Sequence, residues 1–202
     1  MASTLLYLVR HGEHEHGDDP DPGLTRLGEQ QARLLGQRLA DMPFDVVRHS
    51  PLRRAAQTAQ IVAGCRPPVP VTSSELLRDR TPLPAADQPD AVPPRYRPFL
   101  AKVPPGEGDP GARHLNAAIE QLTAVGADDR CELLVTHDFV IGWLVRYALD
   151  APWWRWIGLG SFSCGLTILE IHAGADPMLV SFNDIGHLPV ELRGHGPVTL
   201  YS

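Results

Sequence analysis

Residues 4–16 read TLLYLVRHGEHEH, an apolar run that ends in a cluster of charged and titratable side chains. The run is short and rich in residues that favour β-structure, so residues 4–10 are predicted to form a buried strand. Three interpretations compete for its polar end: a metal site, a phosphate site and an ordinary loop. The residues at issue are Arg10, His11, Gly12, Glu13, His14 and His16.

Composition limits the classes of protein to which the chain can belong. With 202 residues, 43% hydrophobic and 21% charged, the chain suits one domain, 1–202, with a full core. Its net charge of −6 argues against a nucleic-acid partner, because non-specific nucleic-acid binders are usually basic. No apolar run approaches the ~20 residues that span a bilayer, so no membrane partner is expected. The sequence indicates no oligomeric state.

Cysteine usage and the first residues bear on location. Cys65, Cys131 and Cys164 are odd in number and far apart, which argues against a disulfide framework and a cysteine-based zinc site. The short apolar run near the start has no basic segment before it, unlike a signal peptide. We therefore expect a cytoplasmic protein.

Predicted strands and helices alternate along most of the chain. Strands are expected at 4–10, 44–50, 131–136, 163–173 and 177–184, and helices at 24–42, 50–64, 112–125 and 138–149. Thr25 and Ser50 are the expected N-caps of the first two helices. This order predicts an α/β fold, a three-layer α/β/α sandwich with a mostly parallel sheet and an antiparallel edge strand. A Pro-rich excursion at about 81–111 interrupts the pattern, with a helical turn expected around 96–102.

Polar groups follow three of the predicted strands. Arg10 and His11 follow the first, Ser50 and Arg54 follow the second, and His137 follows the strand at 131–136. In open α/β sheets, ligands bind in the crevice beyond the carboxyl ends of the strands. Helix N-termini in that crevice carry unpaired N–H groups and partial positive charge, which suit an anion.

This set of residues describes a phosphate site better than a metal site. Arginine donates hydrogen bonds but does not ligate metals, and its planar fork fits phosphate oxygens. A neutral His11 could attack phosphorus to give a phosphohistidine. Arg10, Arg54 and a protonated His137 would stabilise the phosphoryl oxygens in the transition state. A nearby carboxylic acid would protonate the leaving oxygen and later activate water.

The segments LYLVRHGE, HSPLRRAAQTA and LLVTHDFVIGWLV together resemble the histidine phosphatase superfamily, the phosphoglycerate mutase-like group. The R-H-G signature of that family matches residues 10–12 and implies that His11 is the nucleophile. Its second signature matches Ser50, Arg54 and Thr58, and its second catalytic histidine matches His137. The resemblance runs from residue 5 to residue 189, where SFNDIGHLP is similar to the closing segment of the family.

The general acid has three candidates. The resemblance implies a carboxylic acid in an L-x-E segment, and SELLRDRTP offers Asp79 in that register, with Glu75 in a poorer one. Asp138 directly follows His137, where the acid-phosphatase branch of the family carries its acid. Asp79 is preferred, then Asp138, then Glu75.

The sequence therefore predicts a metal-independent phosphomonoester hydrolase that forms a phosphohistidine. No metal or cofactor is expected, and the substrate is a phosphorylated small molecule or a phosphoprotein. A phosphomutase and a phospho-ligand-binding protein with little turnover are the alternatives, although binding alone needs no nucleophile. A metal hydrolase using His11, His14 and His16 is disfavoured because an H-E-x-x-H helix is absent from the sequence.

Overall fold

A mixed six-stranded sheet lies at the centre of this computed structural model, which describes residues 2–194. The strands are, in chain order, β1 (Ser3–Arg10), β2 (Val46–His49), β3 (Val71–Ser73), β4 (Thr81–Leu83), β5 (Gly108–Pro110), β6 (Arg130–Thr136), β7 (Leu166–His172) and β8 (Met178–Asp184). The helices are α1 (Arg26–Arg38), α2 (Arg53–Ala63), α3 (Arg97–Leu100), α4 (Arg113–Leu122) and α5 (Asp138–Ala148).

The strand order of the sheet is β3-β2-β6-β1-β7-β8. Strands β3, β2, β6 and β1 pair in parallel, while β7 pairs antiparallel with both β1 and β8. The predicted mostly parallel sheet is confirmed, since only β7 runs against the other five strands. The antiparallel edge of the sheet is the β7–β8 hairpin, which lies beside β1 and places β8 at the edge.

Side chains of β1 alternate between two hydrophobic layers, as expected for a strand buried on both faces. Leu6 and Leu8 pack in the layer that contains the apolar sides of α4 and α5. Tyr7 and Val9 pack in the layer that contains those of α1 and α2. The three-layer α/β/α arrangement follows from this alternation. Within residues 2–194, no helix is both long and apolar enough to cross a membrane.

The predicted N-caps of α1 and α2 have different outcomes. Thr25 caps α1, and its hydroxyl accepts the backbone N–H of Gly28 at 3.0 Å. Helix α2 instead has Leu52 as its N-cap and begins at Arg53, so the prediction of Ser50 as N-cap is wrong. The backbone is extended at Leu52, which delays the helix by two residues and leaves Ser50 in the crevice beyond β2.

The Pro-rich excursion at 81–111 has more regular structure than the sequence suggested. Its two ends, β4 and β5, pair in parallel as a small separate sheet, and α3 lies within the predicted helical turn. Asp109 of β5 accepts the N–H groups of His114 and Leu115 at the start of α4. The interpretation of 1–202 as one domain stays a prediction, and residues 1 and 195–202 lie outside the described residues.

The loop after β1 packs tightly against the first turn of α1. A Cβ on Gly12 would lie 2.6 Å from the carbonyl oxygen of Gly28, and a Cβ on Gly28 would overlap the carbonyl oxygen of Glu13. Neither position has room for a side chain, because the opposing atoms belong to the backbone. The loop that carries His11 is therefore seated directly on the α1 backbone.

Gly28→Ala is expected to destabilise the protein, although alanine is normally the better helix former. Because the added methyl group overlaps backbone, the loop must shift, and we expect the free energy of unfolding to fall by about 1–3 kcal/mol. Urea denaturation measures this change.

Gly64→Ala is the matched control at the end of a helix. Gly64 has φ −68°, and the nearest atom to an added Cβ is the Gln60 carbonyl oxygen at 3.4 Å. The free energy of unfolding should change by no more than about 1 kcal/mol. Equal losses in the two variants would contradict the packing argument.

Candidate active site

The two histidines identified from the sequence lie side by side because β1 and β6 pair in register. Arg10 is opposite Thr136, so the next residues, His11 and His137, directly follow the ends of two adjacent strands. The backbone N–H of His11 continues the ladder by donating to the carbonyl of Thr136 at 3.0 Å. The centroids of the two imidazole rings are 5.1 Å apart.

His11 is held in a form that suits a nucleophile. Its side chain is buried, and Nδ1 lies 2.7 Å from the carbonyl oxygen of Gly12. Since a carbonyl only accepts, Nδ1 carries the hydrogen and Nε2 carries the lone pair. Burial, and then the positive charges of Arg54 and Arg10 and the neighbouring His137, hold the pKa of His11 well below its usual value. The imidazole is therefore neutral near pH 7.

Arg54 connects the polar groups of the site. It is the second residue of α2, and its side chain is only 11% exposed. Its Nε donates to Nε2 of His11 at 3.1 Å, and its Nη2 donates to Oδ2 of Asp79 at 3.1 Å. The same Nη2 lies 3.4 Å from Nδ1 of His137. One guanidinium thus touches both histidines and a carboxylate.

Arg10 is fixed by a loop that precedes β7. Its Nη1 donates to the carbonyl oxygen of Ser161 at 2.5 Å, while its buried Nε has no partner among the described residues. Ser161 is held in turn by Asp138, whose Oδ1 accepts both the N–H and the hydroxyl of Ser161 at 2.6 Å. Arg10 therefore has free donor capacity for a ligand.

The three candidate acids occupy different surroundings. Asp79 lies beside Arg54 and 3.4 Å from Nδ1 of His137, with 37% of its side chain exposed. Loss of solvent around its carboxyl raises the pKa of Asp79, and the charge of Arg54 opposes this effect. A carboxyl with a raised pKa is suited to donating a proton.

The other two carboxyl groups have structural partners. Glu75 is 68% exposed and pairs with Arg78 at 2.7 Å, which lowers the pKa of Glu75. Burial raises the pKa of Asp138, but its Oδ1 is bonded to Ser161. Of the three, the structure brings only the Asp79 carboxyl against both Arg54 and His137.

Sequence reasoning assigned no chemistry to two hydroxyl groups of the site. The hydroxyl of Thr58 accepts the N–H of Gly12 at 3.0 Å and donates to the carbonyl of Arg54 at 2.8 Å, which ties the loop after β1 to α2. The hydroxyl of Ser50 lies 2.8 Å from Nε2 of His137. Both residues belong to the segment HSPLRRAAQTA, so their place in that segment was the available signal.

His14 and His16 extend the row of imidazole rings toward solvent. The ring centroid of His14 lies 5.3 Å from that of His11 and 5.2 Å from that of His16, which is exposed. Burial lowers the pKa of His14. In the part of the chain from 2 to 194, no three His, Cys, Asp or Glu side chains are grouped so that they could hold a metal ion.

Solved structures share this architecture. Bacillus stearothermophilus YhfR superposes with a TM-score of 0.70 at 26% identity, covering 91% of this chain and 98% of that one. A phosphoserine phosphatase from Entamoeba histolytica superposes with a TM-score of 0.64 over 92% of this chain and 100% of its own. At 23% identity the second likeness shows the fold alone.

Sequence relatives correct the expected location. The serine/threonine-protein phosphatase Pgam5, mitochondrial, of Caenorhabditis briggsae is 32% identical over 194 residues, 93% of this chain and 65% of the relative. The human PGAM5 protein of the same description is 31% identical over 196 residues with the same coverage. The chain thus spans just under two thirds of these relatives. Because both relatives are named as mitochondrial, they point away from the cytoplasm, and the expectation of a cytoplasmic protein is wrong.

A family model also matches nearly the whole chain. The match covers residues 6–185, which begins within β1 and ends directly after β8. It therefore takes in both histidines, both arginines and every strand of the central sheet. The chain belongs to the histidine phosphatase superfamily, branch 1.

Proposed function

We propose that this chain hydrolyses phosphate monoesters without a metal ion, through a phosphohistidine formed on His11. The observation that carries the proposal is the state of His11, a buried neutral imidazole whose Nδ1–H is bonded to Gly12. That bond directs the lone pair of Nε2 to the same place as the donors of Arg54. A nucleophile and an anion-binding group thus converge on one point.

In the first step, Nε2 of His11 attacks phosphorus and the bond from phosphorus to the ester oxygen breaks. The electron pair goes to that oxygen, which takes a proton from the carboxyl of Asp79 and leaves as an alcohol. The phosphoryl group draws the Arg54 guanidinium onto its oxygens, away from Asp79. Because Arg54 is the strongest of the charges opposing the raised pKa of Asp79, its departure favours the protonated acid that this step needs.

In the second step, the Asp79 carboxylate accepts a proton from water as the water oxygen attacks phosphorus. The bond between phosphorus and Nε2 breaks, which releases inorganic phosphate and restores neutral His11 and protonated Asp79. Arg10, Arg54 and His137 donate to the phosphoryl oxygens throughout, supplying the positive charge and hydrogen bonds that a metal ion supplies in other phosphoryl-transfer sites.

The substrate class follows from the chemistry of the site and is either a phosphorylated small molecule or a phosphoprotein. The PGAM5 relatives are named as serine/threonine-protein phosphatases, which supports alkyl phosphate esters of the phosphoserine and phosphothreonine type. We extend only that ester class to this chain.

His11→Ala should abolish turnover of an aryl phosphate in the presence of EDTA while circular dichroism shows an intact fold. Rapid quenching with radiolabelled substrate should trap an acid-labile phosphohistidine in the wild type only, since the phosphorus–nitrogen bond forms at His11. His16→Ala, an exposed histidine of the same loop, is the control and should keep its activity. Turnover by His11→Ala, or loss of wild-type activity in EDTA, would contradict the mechanism.

Arg54→Lys should reduce kcat/KM by about 10²-fold or more, because lysine keeps the charge but loses the fork that spans two phosphoryl oxygens. Steady-state kinetics on one aryl phosphate measure the change. Arg53→Lys is the neighbouring control: Arg53 is 59% exposed and faces Asp19, so its replacement should leave the kinetics unchanged. Equal effects at the two positions would remove Arg54 from the proposed role.

Asp79→Asn should show a defect that depends on the leaving group. Alkyl phosphates release an alkoxide that needs a proton, and we expect their hydrolysis to fall at least about 10²-fold. Nitrophenyl phosphate should suffer much less, since nitrophenolate leaves without protonation. A series of esters with leaving groups of graded pKa measures the dependence.

Asp138→Asn and Glu75→Gln are the comparison variants for the acid. Their effects should be independent of the leaving group, because Asp138 holds Ser161 and Glu75 pairs with Arg78. If Asp138→Asn alone shows the dependence, Asp79 is not the acid.

A further inference from the structure

Ser50 is a buried residue whose hydrogen bonds connect two strands and the start of a helix. It directly follows β2 with a side chain shielded from solvent, and its backbone N–H donates to the carbonyl of Val135 on β6 at 2.9 Å. Its hydroxyl oxygen accepts the N–H of Leu52 at 3.3 Å and lies 2.8 Å from Nε2 of His137. Ser50 thus joins the start of α2 to the second histidine of the site.

Counting hydrogens assigns the direction of the bond between Ser50 and His137. The hydroxyl has one hydrogen, and Leu52 N and His137 Nε2 are the two partners of its oxygen among residues 2–194. Leu52 N–H is a donor, which leaves Nε2 as the acceptor for the hydroxyl hydrogen. The opposite direction would leave a buried hydroxyl hydrogen without an acceptor, which is costly. Neutral His137 therefore carries its own hydrogen on Nδ1.

The Nδ1 side of His137 faces the phosphate pocket. Nδ1 lies 3.4 Å from Oδ2 of Asp79, which accepts a hydrogen from Nδ1, and 3.4 Å from Nη2 of Arg54, which only donates and would require a bare Nδ1. These two contacts are equally long, so the bond from Ser50 decides between the tautomers. The ionisable groups around this imidazole come from β1, the loop after it, α2 and the segment before β4. They are Arg10, His11, His14, Arg54, Arg78 and Asp79.

We propose that Ser50 is a positioning residue that keeps neutral His137 in the form with hydrogen on Nδ1, so that His137 donates to the phosphoryl group without first taking up a proton. The inference rests on the proposed function, because it assumes that His137 binds the phosphoryl oxygens. It replaces the protonated His137 expected from the sequence. Burial and the positive groups around the ring, which hold the pKa of His137 well below its usual value, agree with a neutral donor.

The tautomer can be measured without substrate. Nitrogen-15 NMR of histidine-labelled, ligand-free protein at neutral pH distinguishes the protonated from the bare ring nitrogen, with His137→Gln used to assign the signals. In the wild type we expect hydrogen on Nδ1, and in Ser50→Ala a mixture of the two forms. Hydrogen on Nε2 in the wild type, or identical spectra in the two proteins, would overturn the inference even if the phosphatase activity is present.

The kinetic consequence is a defect that depends on pH. Ser50→Ala should lower kcat/KM by about 10- to 100-fold at pH 8, by analogy with the loss of a hydrogen bond that orients a metal-ligating histidine. The ratio of mutant to wild-type efficiency should stay level wherever His137 is neutral and rise in acid, as the pH approaches the lowered pKa of His137. The reason is that a protonated imidazole carries hydrogen on Nδ1 with or without Ser50. Taking the ratio cancels the titration of His11, which both proteins share.

Two further variants separate positioning from simple loss of stability. Ser50→Thr keeps a hydroxyl and should recover most of the activity and the single tautomer. Thr4→Val removes another fully buried hydroxyl, which donates to the carbonyl of Ala124 at the end of β1 opposite Arg10, and should change neither the His137 spectrum nor the pH dependence. A ratio of mutant to wild-type efficiency that falls as the pH is lowered would overturn the proposal. If the tautomer behaves as expected but no phosphatase activity is found, the proposed function fails and the Ser50–His137 geometry stands.

Discussion

The parallel pairing of β1 with β6 is the constraint on which the site depends. Seven residue pairs set its register, from Thr4 opposite Arg130 to Arg10 opposite Thr136. Because both strands are buried on both faces, a slip of one residue would exchange their two hydrophobic layers, and the register is strongly specified. The two histidines that follow are thus placed by core packing rather than by contacts of their own.

Arg54 connects the two histidines that this register places side by side. Its guanidinium satisfies Nε2 of His11 and Oδ2 of Asp79 in the absence of an anion. Burial of the two imidazoles, with the positive charge of Arg54 acting in the same direction, holds the pKa of His11 and of His137 well below its usual value. Both histidines are therefore neutral near pH 7, and the two arginines supply the positive charge of the pocket. An incoming phosphate dianion meets donors that are already oriented, which reduces the reorganisation needed at the moment of reaction.

The sequence predicted the parts of this arrangement that depend on periodicity and chain order. Alternation of apolar strands and amphipathic helices fixed the fold class, and the ends of three strands identified His11, Arg54 and His137 as neighbours. It ranked Asp79 ahead of Asp138 on the family resemblance alone. The contacts that distinguish them come from other segments: the Asp79 carboxyl lies against Arg54 and His137, and Oδ1 of Asp138 is bonded to Ser161. The N-cap rule misplaced Ser50 because that rule describes a hydroxyl bonded to its own helix. Here the Ser50 hydroxyl accepts the N–H of Leu52, but the helix starts after Leu52. The second partner of the hydroxyl is the imidazole of His137. Contacts between distant segments leave no local pattern.

The hydrogen bond from Arg54 to Nε2 of His11 has a consequence for chemical selectivity. A histidine with a free lone pair reacts with many electrophiles and soft metal ions, and neutrality near pH 7 would make His11 especially exposed to them. In the resting protein that lone pair is engaged by the guanidinium at 3.1 Å, so it is masked. A ligand unmasks it by offering Arg54 a better acceptor, which a dianionic phosphoryl group does and a neutral electrophile does not. The contact that positions the nucleophile thus also keeps His11 unreactive until a phosphate group binds to Arg54.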